Sequence, residues 1–132
     1  MTCPTAVPPL TLAQGCKALP LQFSPKLTYN LGASYSHPAG RATATGTATY
    51  SHVSDQRSSN IARNALLIPG HGVLNLRLQY DINVWSVAAT GSNVLGEHYL
   101  TGGATGRLTP FYTVYGTLGE PTMWAIELQR RF

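Results

Sequence analysis

The stretch HGVLNLRLQYD, residues 71–81, decides the fold. Leu74, Leu76, Leu78 and Tyr80 alternate with Asn75, Arg77, Gln79 and Asp81. An extended strand turns that period of two into one apolar and one polar face, whereas a helix would scatter the same residues around its circumference. After a tight Asp81-Ile82-Asn83 turn the pattern returns in VWSVAATGSN, where Trp85, Val87 and Ala89 oppose Ser86, Ala88, Thr90 and Ser92. The two stretches read as a hairpin.

The same period extends toward both termini. In KLTYNLGASYS, residues 26–36, Leu27, Tyr29, Leu31, Ala33 and Tyr35 alternate with Thr28, Asn30, Gly32 and Ser34. The turn His37-Pro38-Ala39-Gly40 leads to RATATGTATYSHV, with Ala42, Ala44, Ala48 and Tyr50 opposite Thr43, Thr45, Thr47 and Thr49. Residues 54–70 lose the alternation and read as a longer connection. Beyond a turn at Gly96 a short strand is expected near His98 to Gly102, then a flexible Gly/Thr-rich loop reaching the turn Gly119-Glu120-Pro121. Within it FYTVYGTL has an ambiguous strand pattern. The last segment, TMWAIELQRRF, sets Trp124, Ile126, Leu128 and Phe132 against Glu127, Gln129 and Arg131. The expectation is an all-β chain, an antiparallel up-and-down sheet of about six strands with no helix.

Composition narrows the surroundings of that sheet. Charged residues make up 11% of the 132 residues, against roughly 25% in soluble domains. The net charge of +4 is dispersed over residues such as Lys26, Arg41, Arg63, Arg77, Arg107, Arg130 and Arg131, with no polybasic run or aromatic-basic interleaving. Nucleic acid is therefore not an expected partner. No window approaches the ~18 apolar residues of a spanning helix, so strands must do any membrane crossing.

Alternation alone does not say whether the apolar face meets a soluble core or lipid. Three observations favour lipid. The strands run about 10 to 11 residues, the length that a tilted strand needs to cross a hydrocarbon layer. The aromatics Tyr35, Tyr50, Tyr80, Trp85, Trp124 and Phe132 stand where rings would line the membrane interfaces. The polar faces carry Thr, Ser, Asn and Gln with few charges, which suits a hydrated lumen. Lumen-facing polar positions are then Asn75, Arg77, Gln79, Glu127 and Gln129. The alternative is a soluble β-barrel or sandwich with the same alternation turned inside out around a small apolar ligand.

These motifs, in this order, resemble the last strands of a TonB-dependent outer-membrane receptor from about Pro25 onward. PKLTYNLGASYS resembles a Pro-initiated strand of such barrels, and HGVLNLRLQYD the strand that follows. WSVAATGSNVLGEHYL is similar to the family's Trp-led strand and its Asn-Leu-Phe-Asp-x-x-Tyr turn. Asn93 and Tyr99 match there, and Gly96 replaces the usual Asp. GTLGEPTMWAIELQRRF resembles the family ending, with Thr122 in place of a common Arg and Arg130 in place of a common aromatic.

The resemblance implies a fragment of a receptor in the bacterial outer membrane that takes up siderophores or other scarce nutrients and is not active alone. Residues 26–132 would be C-terminal barrel strands, and residues 1–25 a connection. Implied partners are outer-membrane lipid, the remainder of the barrel and its plug domain, and TonB through the missing N-terminal part. The barrel-assembly machinery would read Trp124, Ile126, Leu128 and Phe132, a signal interrupted by Arg130. The family places its C-terminus in the periplasm, from which the Gly119-Glu120-Pro121 turn is expected to face outward and the Asn93 to Tyr99 turn inward.

No signal peptide precedes the first strand, which fits a fragment or a reading frame begun at an internal Met. Cys3 and Cys16 either form a loop disulfide in an oxidising periplasm or remain free thiols, with the short loop favouring the bond. His37, His52, His71 and His98 lack the spacing of a metal site and read as isolated turn and loop residues. The acids Asp55, Asp81, Glu97, Glu120 and Glu127 are dispersed. Gly102-Gly103-Ala104-Thr105-Gly106 lacks the Lys-Ser/Thr and helix of a phosphate loop. No catalytic set emerges, so neither enzyme activity nor a cofactor is expected. Arg77 and Glu127 would either contact a plug or ligand, or bond to their neighbours.

Overall fold

The computed structural model describes residues 21–59, 66–108 and 111–132, with side chains except at 106–108, 111 and 112. Cys3 and Cys16 lie outside the described residues. Among those described, all regular structure is strand: β1 Thr28–Ala39, β2 Ala42–Val53, β3 Gln56–Arg57, β4 Leu67–Ile68, β5 His71–Ile82, β6 Trp85–Ser92, β7 Leu100–Leu108, β8 Phe111–Leu118 and β9 Met123–Arg130. Five of them form one antiparallel sheet in the order β1-β2-β5-β6-β9. The hairpins β3-β4 and β7-β8 stand apart from it as two-stranded sheets.

Two tight turns close one end of the sheet. Ala39 pairs with Ala42, leaving Gly40 and Arg41 as the loop, and Gly40 takes φ 66°. Glycine at the first loop position with positive φ is the choice that matches the twist of a two-residue hairpin. Ile82 pairs with Trp85 around Asn83 and Val84, with Asn83 at φ 51°. Both turns are tighter than the sequence pattern suggests: Pro38 and Ala39 stay inside β1, opposite Thr43 and Ala42, and Asp81 and Ile82 stay inside β5, opposite Ser86 and Trp85. Pro38 is the next-to-last residue of β1, beside the hairpin loop where the ladder ends.

The long connections leave from the opposite end. The β2 to β5 connection carries the small β3-β4 hairpin, and the β6 to β9 connection carries β7-β8. Two expectations are corrected here. Residues 102–106 are not a flexible loop but part of β7, paired residue by residue with β8. A Cβ on Gly103 would lie 2.6 Å from the Tyr115 carbonyl oxygen, so the glycine permits the close strand approach. The strand expected at 98–102 is therefore no member of the main sheet, which has five strands rather than six.

Removing that strand also reverses the orientation of one turn. Because β6 pairs directly with β9, with Ser92 opposite Met123, the segments 93–99 and 119–121 sit at the same end of the sheet. Both lie opposite the end that carries Phe132, so they do not face opposite ways as expected.

Register makes a sharp claim about side-chain facing. Ser34 and Thr47 are partners whose hydroxyl oxygens lie 3.1 Å apart, whereas Ala48 points to the other face. Cysteines at 34 and 47 should cross-link under mild oxidation, and cysteines at 34 and 48 should not. Equal cross-linking of both pairs, read by mobility on a non-reducing gel, would contradict this register.

Candidate functional site

The sheet has two faces and, among the described residues, no second layer over either. Residues paired across strands share a face, so the register assigns every side chain. Leu31, Tyr50 and Leu74 stand in one row, and Tyr35, Gly46, Leu78, Ala89 and Ile126 in another. Tyr80, Val87 and Leu128 follow, and then Ile82, Trp85 and Arg130. All the apolar positions read from the sequence fall on this one face.

Its exposure is the inverse of a soluble protein's. Ile126 is 82% exposed and Leu78 is 61% exposed, while Ser86 on the other face is only 7% exposed. Buried apolar residues among those described are Ala42, Ile68 and Ala88, too few and too small to make a core. An apolar face of this extent marks a surface that meets something other than water.

The aromatics on this face are arranged in two slanted rows. From Trp85 the register runs straight across to Ile82, Ala42 and Ala39. The rings, however, are Tyr80, two positions from Ile82, and Tyr35, four positions from Ala39. From Trp124 the register runs to Gly91, Leu76, Ala48 and Ala33. Here the rings are Tyr50, two positions from Ala48, and Tyr29, four from Ala33. Every displacement is toward the long-connection end, so both rows lean the same way from the perpendicular to the strands. With a strand spacing of about 4.8 Å and a rise of about 3.3 Å per residue, the departures from the perpendicular are roughly 54° at Tyr80 and 43° at Tyr35 in the first row, and roughly 25° at Tyr50 and 35° at Tyr29 in the second.

Glycines make room for several of these rings. A Cβ on Gly91 would come within 2.6 Å of the Trp124 ring, and Tyr50 lies against Gly72 in the same way. Each ring thus covers a cross-strand position that has no side chain of its own.

The opposite face is a hydrogen-bonded array. Ser36 meets Thr45 at 3.0 Å, and the Arg77 guanidinium donates to Thr90 Oγ1 at 3.2 Å. It also donates to Gln79 Oε1 and Glu127 Oε2, each at 3.3 Å. Gln79 Nε2 donates to Asp81 Oδ2 at 2.9 Å. Arg77 on β5 reaches Glu127 on β9 diagonally across β6, past Thr90 in its own row and over Ala88 in the row of Glu127, a side chain too short to block it. Gln129 shares a shallow recess with Arg77, Gln79, Ser86 and Glu127. This ordering of both charges by neighbours is the arrangement that leaves neither dangling.

The sequence did not reveal how much the structure rests on Asn93. It is 2% exposed, at φ 48°, and sits where the sheet hands over to the β7-β8 hairpin. Its Nδ2 donates to the Glu97 carbonyl at 2.8 Å and the Glu120 carbonyl at 3.0 Å, and its Oδ1 accepts from Glu97 N–H at 3.0 Å. Its own N–H donates to Asn75 Oδ1 at 3.0 Å, and its carbonyl accepts from Thr122 Oγ1 at 2.7 Å. The Asn93 side chain therefore joins both ends of the excursion, and its backbone N–H ties them to Asn75 on β5. Gly96, at φ 67°, completes the turn in a conformation that glycine adopts without strain. Tyr99 lies against Gly119 and stacks on His71 at 4.2 Å between ring centroids.

His52 stacks on Tyr29 at 5.1 Å and His37 on Tyr35 at 6.5 Å. Among the described residues no three His, Cys, Asp or Glu side chains converge on a common point.

A family model described as TonB dependent receptor-like, beta-barrel, matches residues 14–94, more than half of the chain. The chain belongs to this family. No curated protein matches it, and no solved structure does. The matched segment of this TonB-dependent receptor barrel ends at the Asn93 junction, and β9 is joined to it by continuous register with β6. The family is one of receptors and transporters, not of enzymes.

The junction makes a graded prediction. Asn93→Ala removes three side-chain hydrogen bonds and puts a Cβ residue other than Asn at positive φ, which should cost about 3 kcal/mol or more. Asn75→Ala removes one and should cost about 1 kcal/mol. Urea unfolding of the chain in detergent micelles checks both; equal midpoints for the two variants would contradict the central place given to Asn93.

Proposed function

We propose that this chain is part of the membrane-spanning wall of an outer-membrane receptor that takes up siderophores or other scarce nutrients with energy relayed through TonB. The observation that carries the reading is the slant of the two aromatic rows. Strands of outer-membrane barrels tilt by about 35–45°, and girdles of aromatic residues mark both interfaces. Rings that mark horizontal interfaces on tilted strands must depart from the perpendicular to the strands by the tilt angle. The four departures, roughly 25 to 54° with a mean of about 39°, all lean one way and centre on that tilt.

Energetics support the same assignment. Leu31, Leu78, Ile126 and Leu128 are all exposed, and each forgoes about 1.5–3 kcal/mol of burial if left in water. Lipid removes that penalty, and the polar face is then the lumen wall. Asn75, Arg77, Gln79, Glu127 and Gln129 point inward on this reading, toward a plug domain or passing ligand. The long connections with β3-β4 and β7-β8 face outward, and the tight turns with Phe132 face the periplasm, in keeping with the short periplasmic turns of such barrels. Both β1 and β9 have an unpaired edge in this sheet, and in a barrel those edges are closed by further strands. The strand β9, with Trp124, Ile126, Leu128 and Phe132 on its lipid side, would carry the signal for barrel assembly. A five-stranded wall encloses no pathway, so transport belongs to the complete barrel.

Adjacent positions on β5 test the assignment. In membranes containing the chain, Leu78→Cys should react with a lipid-restricted thiol probe and Gln79→Cys with a small water-soluble one. The reverse pattern, or recovery of the chain as a soluble monomer without detergent, would favour the soluble barrel or sandwich.

A further inference from the structure

Arg130 is the one charged residue in the register rows of the apolar face, on the last position of β9 opposite Trp85. Its guanidinium carbon lies 5.4 Å from the Trp85 ring centroid and 5.1 Å from that of Phe132. Among the described residues no carboxylate is within ion-pair distance of it; Glu127 pairs with Arg77, and Asp81 lies 4.0 Å from Arg131.

A guanidinium has two kinds of surface. Its flat faces interact with aromatic rings, and its edge carries five N–H donors in a fork that fits two oxygens of a phosphate or carboxylate. Here both rings lie within cation-π distance of the guanidinium carbon, and no acid in the described residues lies within ion-pair distance of its donors. An arginine on a lipid-facing strand is costly at mid-depth but not at the interface, where its head reaches the polar layer. Arg130 is at the end of its strand, and Leu128, Val87 and Tyr80 continue the apolar surface below it. The tight-turn end also carries Arg41 and Arg131, against Asp81 as its acidic side chain.

We propose that Arg130, beside the rings of Trp85 and Phe132, binds the phosphodiester of a membrane phospholipid whose acyl chains lie along Leu128 and Val87. The inference rests on the lipid-facing reading of this surface. It commits to a phospholipid rather than a free anion because the apolar rows lead directly away from the guanidinium, giving the acyl chains a surface that inorganic phosphate has no use for.

The chain's two tryptophans make the test direct. With Trp124→Phe, Trp85 is the sole indole and sits beside Arg130. The full chain in micelles of an uncharged detergent is titrated with short-chain phosphatidylglycerol, the matching diacylglycerol, and inorganic phosphate. Phosphatidylglycerol should change Trp85 emission saturably, and Arg130→Gln should raise the half-saturating amount about tenfold, with Arg130→Lys in between. Diacylglycerol and inorganic phosphate should give no saturable change. Identical phosphatidylglycerol curves for the parent and both variants would overturn the proposal, as would a response to diacylglycerol equal to that of the phospholipid. A response to inorganic phosphate of the same strength would replace it with a free-anion site. In a parallel Trp85→Phe sample, quenching of Trp124 by lipid brominated on its acyl chains separates the two levels. Quenching with no effect of Arg130 defeats the phosphate site alone; no quenching defeats the lipid-facing reading and the site with it.

Discussion

Cross-strand register is the constraint on which everything else depends. A one-residue slip of any strand in the main sheet would carry its whole apolar set to the polar face. With no core among the described residues to absorb a misplaced leucine, the error would have no local remedy. Register is held at the tight-turn end by the two-residue loops at Gly40-Arg41 and Asn83-Val84, and at the other end by the bonds of Asn93. Between these anchors, Ser34 with Thr47 and Ser36 with Thr45 repeat the same alignment along β1 and β2. The faces are thus a product of strand alignment and not of packing between layers.

Side-chain size complements that alignment. Ala88 is small enough for the Arg77 to Glu127 bond to pass over β6, and Gly72 and Gly91 leave room for Tyr50 and Trp124. Larger residues at these places would keep the strand pattern while blocking what lies across it. The arrangement also explains why glycines and alanines are common in strands that would otherwise favour branched residues.

The period-two segments were legible because their signal is local. For β1, β2, β5, β6 and β9 the sequence showed both the strand and its faces, since alternation needs only neighbours in the chain. Pro38 concealed three residues of β1, His37 to Ala39, because a proline in sequence reads as a turn signal. The Gly/Thr run of β7 showed no alternation, because glycine has no side chain with which to show a face. Misreading that run gave six strands in one sheet and set the Asn93 and Gly119 turns at opposite ends. Asn93 itself was singled out by resemblance, but its bonds to Asn75, Glu120 and Thr122 join positions far apart in sequence, and no spacing rule reports them. Arg130 looked like a blemish in an aromatic pattern until the two rings beside it were in place.

The Asn93 junction has a consequence for how the barrel can vary. By clamping residues 97, 120 and 122 at a single point, it isolates the β7-β8 hairpin mechanically from the five-stranded wall. Lengthening, shortening or exchanging that hairpin changes what is displayed above the wall without changing the alignment of the strands beneath it. The wall is then a chassis with a fixed socket, and the part seated in the socket is free to diversify.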